Sequence, residues 1–134
     1  MAQQPIELIL ARELGSHLVT PIFLVDVEGE LLFYNEPAEK LLGSRFDESG
    51  PMPLSTWTTV FVPTSASGER LPAESLPLVA ALRERRPAHG RFWISGLDGV
   101  ARELEVTALP LEGHADRLLG AIAIFWEAPA ASNG

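Results

Sequence analysis

Cysteine is absent from these 134 residues. That excludes disulfides, thiolate metal sites, a cysteine nucleophile and any thiol adduct to a cofactor. Lysine is nearly absent too. Lys40 is the single one, and 10 basic residues stand against 18 acidic ones for a formal charge of -8. Such a balance repels phosphate backbones, so nucleic acid is not an expected partner. Long apolar runs are missing as well. Pro21 to Val25 is too short for a signal core and nothing approaches a membrane span, so no membrane partner is expected and the cytoplasm is the expected compartment. What remains is an ordinary folding composition, 46% hydrophobic and 21% charged, sized for one domain with its own core and a flanking helix.

Residues 1–19 read as a leading amphipathic helix. Pro5 suits a first turn, and Ile6, Ile9, Leu10, Leu14 and Leu18 recur at three- and four-residue steps. An apolar stripe of this kind needs covering, by the chain's own sheet or by a second copy. A hairpin follows: Pro21-Ile-Phe-Leu-Val-Asp26, a turn at Glu28-Gly29, then Leu31-Leu-Phe-Tyr34. Asn35 has the place of an N-cap that accepts from the Ala38 N–H, because Pro37 has none to offer. Glu36, Glu39 and Lys40 suit the helix dipole, and Gly43 ends the helix. Residues 44–73 read as loops with one or two short helical turns around Leu54, Trp57, Val60 and Phe61. A helix from near Ser75 carries Leu78, Val79 and Leu82 inward and ends before Pro87.

The last third is β. His89 to Ser95 places Phe92 and Ile94 opposite Arg91 and Trp93, and Asp98-Gly99 marks a hairpin. Val100 to Leu111 sets Leu104, Val106 and Ala108 against Glu103, Glu105 and Thr107. Leu118 to Trp126 is apolar on both faces, as is the first strand, so both are expected to be shielded on both sides. Residues 128–134 read as a frayed tail.

Two strands, short helices, then three strands is an α+β order. The strings Pro21 to Gly29, Leu31-Leu-Phe-Tyr-Asn35 and Ala38-Glu-Lys-Leu-Leu-Gly43 resemble the opening of a PAS domain. Gly90-Arg-Phe-Trp-Ile-Ser, Leu97-Asp-Gly99, Arg102 to Leu111 and Leu119 to Trp126 resemble its closing three strands. The resemblance covers residues 20–127 and implies a five-stranded antiparallel sheet, order 2-1-5-4-3, with short helices on one face. It also implies a stand-alone, bacterial-type sensory module. Where many members continue through Asp-Ile-Thr into a signalling helix, this chain has Phe125-Trp126-Glu127 and a Pro-containing tail. Output through the leading helix or the sheet surface, in trans, is therefore expected.

The interior candidates for a small apolar ligand are Phe23, Phe33, Tyr34, Leu42, Trp57, Phe61, Leu78, Val79, Phe92, Ile94, Leu104 and Val106, with Trp57 and Tyr34 as donors. Core packing explains the same residues. The candidates for a homodimer interface are Ile6, Ile9, Leu10 and Leu14 of the helix and Ile22, Leu24, Ile122, Ile124 and Trp126 of the outer sheet face. On that reading Ile124→Asp or Trp126→Glu leaves a folded monomer.

No catalytic or metal site is expected. His17, His89 and His114 lie in three different elements with no i, i+4 partner. Ser16, Ser75 and Ser95 lack a nucleophile context, and Glu103 and Glu105 read as a solubilising strand face. No cofactor is expected: His89 lies in the region where haem-binding relatives place an axial ligand, but beyond Pro87 at a strand start, and no residue argues for non-covalent flavin. Arg83, Arg85, Arg86, His89 and Arg91 form a local basic cluster, suited to an anion or acidic partner or simply to a solvated helix end. Two functions follow: a sensor that binds a small molecule and answers through dimerisation or a signalling partner, or a ligand-free interaction module.

Overall fold

The computed structural model describes residues 6–128. Five helices and five strands follow in the order α1 (Ile6–Gly15), β1 (Ile22–Asp26), β2 (Leu31–Tyr34), α2 (Glu36–Leu42), α3 (Phe46–Ser49), α4 (Leu54–Val60), α5 (Pro77–Glu84), β3 (Ala88–Ser95), β4 (Ala101–Glu112) and β5 (Leu118–Glu127). One antiparallel sheet runs β2-β1-β5-β4-β3, the order that the resemblance implies. The first and last strands meet at its centre, with Phe23 opposite Ala123 and Leu24 opposite Ile122.

Period-two alternation decides which side each strand residue faces. Phe23, Val25, Leu104, Val106, Ala108, Ala121, Ala123 and Phe125 join the main core beneath α2 to α5. Ile22 and Leu24 face the opposite side and are fully buried there. The cover is the chain's own leading helix: Leu8 closes a small cluster with Leu24, Leu32 and Leu119. Central strands with two apolar faces thus have both faces packed, at least over β1 and the start of β5.

That arrangement corrects the reading of α1. The large apolar residues Ile6, Ile9, Leu10 and Leu14 do not face the sheet; they are 66%, 53%, 60% and 64% exposed. The buried side is Leu8 and Gly15, with Ala11 packed against the cluster. These three recur at helical spacing, and the small residues let the helix axis approach closely: a Cβ on Gly15 would lie 2.7 Å from the Ile22 side chain. Burial under α1 also removes Ile22 and Leu24 from the surface proposed for a partner. The expected residues 1–5 of the helix lie outside the described residues.

The turn chemistry follows the sequence closely. Asn35 takes extended backbone and its Oδ1 accepts from the Ala38 N–H at 3.2 Å, with Pro37 in the first turn. Gly43 ends α2 in the left-handed conformation. A side chain there would meet the Asp98 backbone as well, because the β3–β4 turn closes the end of α2. Leu97 N–H donates to the Leu42 carbonyl and the Arg102 guanidinium to the Leu41 carbonyl, each at 2.9 Å. These carbonyls are among the unpaired ones that every helix C-terminus leaves. At the far end of β5, Ala128 is buried and its N–H donates to the Glu103 carbonyl. Ala128, the first residue of the expected tail, is thus packed, and 129–134 lie outside the described residues.

Candidate functional site

A cavity of about 60 Å³ lies between the inner sheet face and the layer formed by α4, α5 and the loop after α4. Its lining is Phe23, Leu42, Trp57, Phe61, Pro63, Leu76, Pro77, Leu78, Phe92, Ile94, Leu104, Val106, Ala123 and Phe125. Nine of the twelve interior candidates stand there. Phe33, Tyr34 and Val79 do not, for separable reasons.

Phe33 pairs with Leu24 on the opposite face of the hairpin, where it packs beside the back cluster and edge-on to Phe46 at 5.4 Å. The Arg12 guanidinium sits 4.9 Å from its ring. Tyr34 does face inward, stacked 6.1 Å from Phe23, but it fills its own slot beside α3 rather than the cavity. Its hydroxyl bonds to the Ser44 carbonyl at 3.0 Å and the Ser49 hydroxyl at 3.1 Å. Burial pushes the phenol above its ordinary pKa, against the opposing effect of those two bonds. It therefore stays a neutral donor across the physiological range. Val79 is buried in the core on another side of α5.

Neither expected donor is free for a ligand. The Trp57 indole donates to the Gly29 carbonyl at 2.8 Å, and Tyr34 is committed as described. Trp57 instead supplies an apolar wall, edge-on to Phe23 with centroids 5.0 Å apart. Every lining residue is apolar. A site for a cofactor or drug-sized ligand needs roughly 300–1,000 Å³ with a few converging polar groups. The present space holds neither the bulk of haem or flavin nor partners for their polar edges. His89 could not serve a haem from where it lies: it projects from the outer sheet face, its Nδ1 2.8 Å from the Thr107 hydroxyl and its Nε2 3.4 Å from Glu105.

The residues that sequence reasoning missed are Pro63, Leu76, Pro77, Ala123 and Phe125. Ala123 and Phe125 were legible, since they alternate with the outward Ile122 and Ile124 on β5. Pro63 and Leu76 come from loops, and Pro77 from the first turn of α5, whose approach only the folded chain fixes.

Three arginines of the basic cluster have local partners. Arg85 pairs with Glu112 at 2.7 Å and with the Asp116 carbonyl, Arg86 with Glu84 at 2.8 Å, and Arg91 with Glu105 at 2.9 Å. The Arg91 hydrogen bond holds the Glu105 carboxyl below its usual range, and the Arg102 guanidinium does the same for Asp98, helped by the Val100 N–H. A carboxyl depressed in the folded state favours folding above the ordinary carboxylate pKa, near 4, and loses that contribution as pH falls through and below it. The melting temperature should therefore fall between pH 6 and pH 3 more steeply for the native chain than for Asp98→Asn combined with Glu105→Gln. Parallel curves would remove these pairs from the account.

Ile122 and Ile124 are half-buried on the outer face of β5, and Trp126 is 39% exposed with its ring 6.5 Å from His89. Together with the bare side of α1 they are what remains of the expected interface. Among the described residues no group of His, Asp or Glu side chains is placed to hold a metal ion, and no helix is long and apolar enough to cross a membrane.

No protein-family model matches this sequence, and no curated relative does. Solved structures do. The chain is similar to the PAS domain of a Colwellia psychrerythraea protein, with a TM-score of 0.64 and 16% identity over 90% of this chain and 96% of that one. It is similar to the LOV protein of Rhodobacter sphaeroides, with a TM-score of 0.71 and 14% identity over 96% of this chain and 71% of that one. An RNA-binding light-oxygen-voltage receptor gives a TM-score of 0.66 and 21% identity over 92% of this chain and 33% of that one. Strand order, the segregated helices and these likenesses agree: the chain has the PAS fold.

Proposed function

We propose that this domain is a non-catalytic regulatory module of the sensory PAS kind, acting by self-association through the bare face of α1. The observation that carries it is the stripe itself. Ile6, Ile9, Leu10, Leu14, Leu18 and Val19 are six of the ten exposed large hydrophobics among the described residues, and all lie within fourteen positions. Isolated exposed apolar residues are ordinary, but four at helical spacing on α1, with Leu18 and Val19 just past its end, are not.

A second copy is the occupant that fits. A row repeating every three to four residues is complementary to itself about a two-fold axis. A stable interface buries roughly 800 Å² per partner, so Leu18, Val19 and the outer face of β5 would have to join the four residues of α1 in it. Half-exposed Ile122 and Ile124, with Trp126, extend the same outer side. The charge of -8 per copy opposes association at long range but is screened beyond roughly 8 Å at physiological salt, so the dimer should tighten as salt is added.

The cavity favours the ligand-free reading of this module over a sensor of bulky molecules. A wholly apolar space of about 60 Å³ admits an apolar ligand of only a few heavy atoms. Recognition of RNA, which one similar receptor performs, finds no support in an acidic chain whose clustered arginines Arg85, Arg86 and Arg91 each have a carboxylate partner.

The absence of native cysteine makes the interface directly testable. Ile6→Cys, Leu10→Cys and Leu14→Cys each give the chain a single thiol on the stripe. At least one should oxidise to a covalent dimer far faster than Val27→Cys, which is equally accessible but lies in the β1–β2 turn. Cross-linking no faster than Val27→Cys at all three positions would overturn the proposal.

A further inference from the structure

The geometry points to Asn35 as the latch that seats α1 on the back of the sheet, and so fixes where the exposed stripe is presented. Asn35 is the one buried polar side chain among the described residues, 1% exposed. Capping α2 needs only its bond to Ala38. The side chain makes three more: Oδ1 also accepts from the Ile22 N–H at 3.0 Å, while Nδ2 donates to the Gly15 carbonyl at 3.0 Å and the Thr20 carbonyl at 2.9 Å. Two donors and two acceptor sites are all that an amide has. The N–H groups lie on one side and the carbonyls on the other, so a single amide orientation satisfies all four.

What those bonds join matters more than their number. Gly15 is the last residue of α1, and its carbonyl, which no N–H within the helix reaches, accepts from the Leu18 N–H at 3.1 Å and from the Asn35 amide. Thr20 lies in the connection to the sheet. Ile22 opens β1, next to Phe23 in the cavity wall. One side chain therefore ties the end of α1, the connecting segment, the central strand and α2 together. The other attachments of α1 are apolar or cation–ring contacts: the Leu8 cluster joined by Ala11, the close approach of Gly15 to Ile22, and Arg12 over Phe33 and Phe46. A ten-residue helix does not persist in water without tertiary support. Loss of the two Nδ2 bonds should consequently free α1 selectively. The latch goes beyond the self-association reading and stands without it, although its consequence for signalling rests on that reading.

Hydrogen exchange of Asn35→Ser and Asn35→Asp tests this. Both replacements keep an oxygen that caps the Ala38 N–H, and both remove the donors to Gly15 and Thr20. In Asn35→Asp the carboxylate additionally faces two carbonyl oxygens. The expected result is exchange at least about tenfold faster across residues 6–18, the scale set by loss of one buried hydrogen bond, with α2, β4 and β5 protected as in the native chain. Native protection of α1 in both variants would overturn the latch. So would equal loss of protection in α1, α2 and the sheet, or failure of both variants to fold, since Asn35 would then be a staple of the whole domain. Repeating the native measurement at high and low protein concentration separates the two proposals. Protection of α1 that disappears on dilution would come from the seam between copies and not from Asn35, whereas a native chain that is monomeric with α1 protected would end the self-association reading and leave the latch intact.

Discussion

Trp57→Ala should cost about 3–5 kcal/mol of folding stability, enough to unfold much of the population of a domain whose total is about 5–15 kcal/mol. Trp57 is the keystone of the inner side. Its ring closes the cavity against Phe23, it lies on the short α4 that has no side-chain cap, and its indole N–H satisfies the Gly29 carbonyl in the β1–β2 turn. Truncation removes a large apolar surface, enlarges an existing void and leaves a buried carbonyl without its donor. The three contributions separate by a second variant. Trp57→Phe retains most of the apolar surface but loses the bond, and should cost about 1–3 kcal/mol. Urea unfolding of the two variants gives the comparison. Equal losses would mean that the bond to Gly29 carries nearly all of the effect, and a loss under 1 kcal/mol for Trp57→Ala would contradict the packing described.

Gly120→Ala is the second large effect, about 3 kcal/mol or more, although it adds a single methyl group. Gly120 stands opposite Asp26 on the central pair and opposite Leu111 on β4. A Cβ at this position would run into the Val25 carbonyl oxygen and lie 3.1 Å from the Asp26 Cα. Backbone cannot rotate aside as a side chain can, so β1 and β5 must part at the end of their ladder. Asp26 also forms the β1–β2 turn, accepting from the Glu28 and Glu30 N–H groups. Displacement there loosens the hairpin as well. A native-like denaturation midpoint for Gly120→Ala would show that the two strands lie farther apart than described.

How far the sequence carries these arguments depends on which signal each residue sends. Strand alternation and turn chemistry were legible: Asn35, Pro37 and Gly43 specify α2 through local chemistry, and Leu104, Val106 and Ala108 mark an inner face without help from elsewhere. The face of α1 was not. Large residues dominate an amphipathic pattern, so Ile6, Ile9, Leu10 and Leu14 read as the packed side. Leu8, Ala11 and Gly15 win because small residues permit the close approach that a flat sheet requires, and Ala and Gly add little to apolar periodicity. Phe33 shows the complementary error. Two adjacent strand residues cannot both face inward, so placing Phe33 and Tyr34 together in the interior conflicts with the two-residue period.

The candidate site was legible as a lining and illegible as a volume. Phe23, Trp57, Phe92, Ile94 and Leu104 are marked as interior by their strands and helices, yet whether they enclose a ligand chamber or nearly close on one another depends on fractions of an ångström in side-chain packing. Donor availability is equally a tertiary matter. Nothing near Trp57 in the chain reveals that its N–H is spent on Gly29, 28 residues away.

Sedimentation equilibrium on the native chain and on Leu10→Asp combined with Leu14→Asp asks whether the bare face of α1 joins two copies. These positions are 60% and 64% exposed, so the charges should leave the fold intact. The native protein should sediment at twice the 14.5 kDa chain mass at tens of micromolar and the variant at a single chain mass, with similar melting temperatures. A native protein that sediments as one chain, or a variant that stays double, would contradict it.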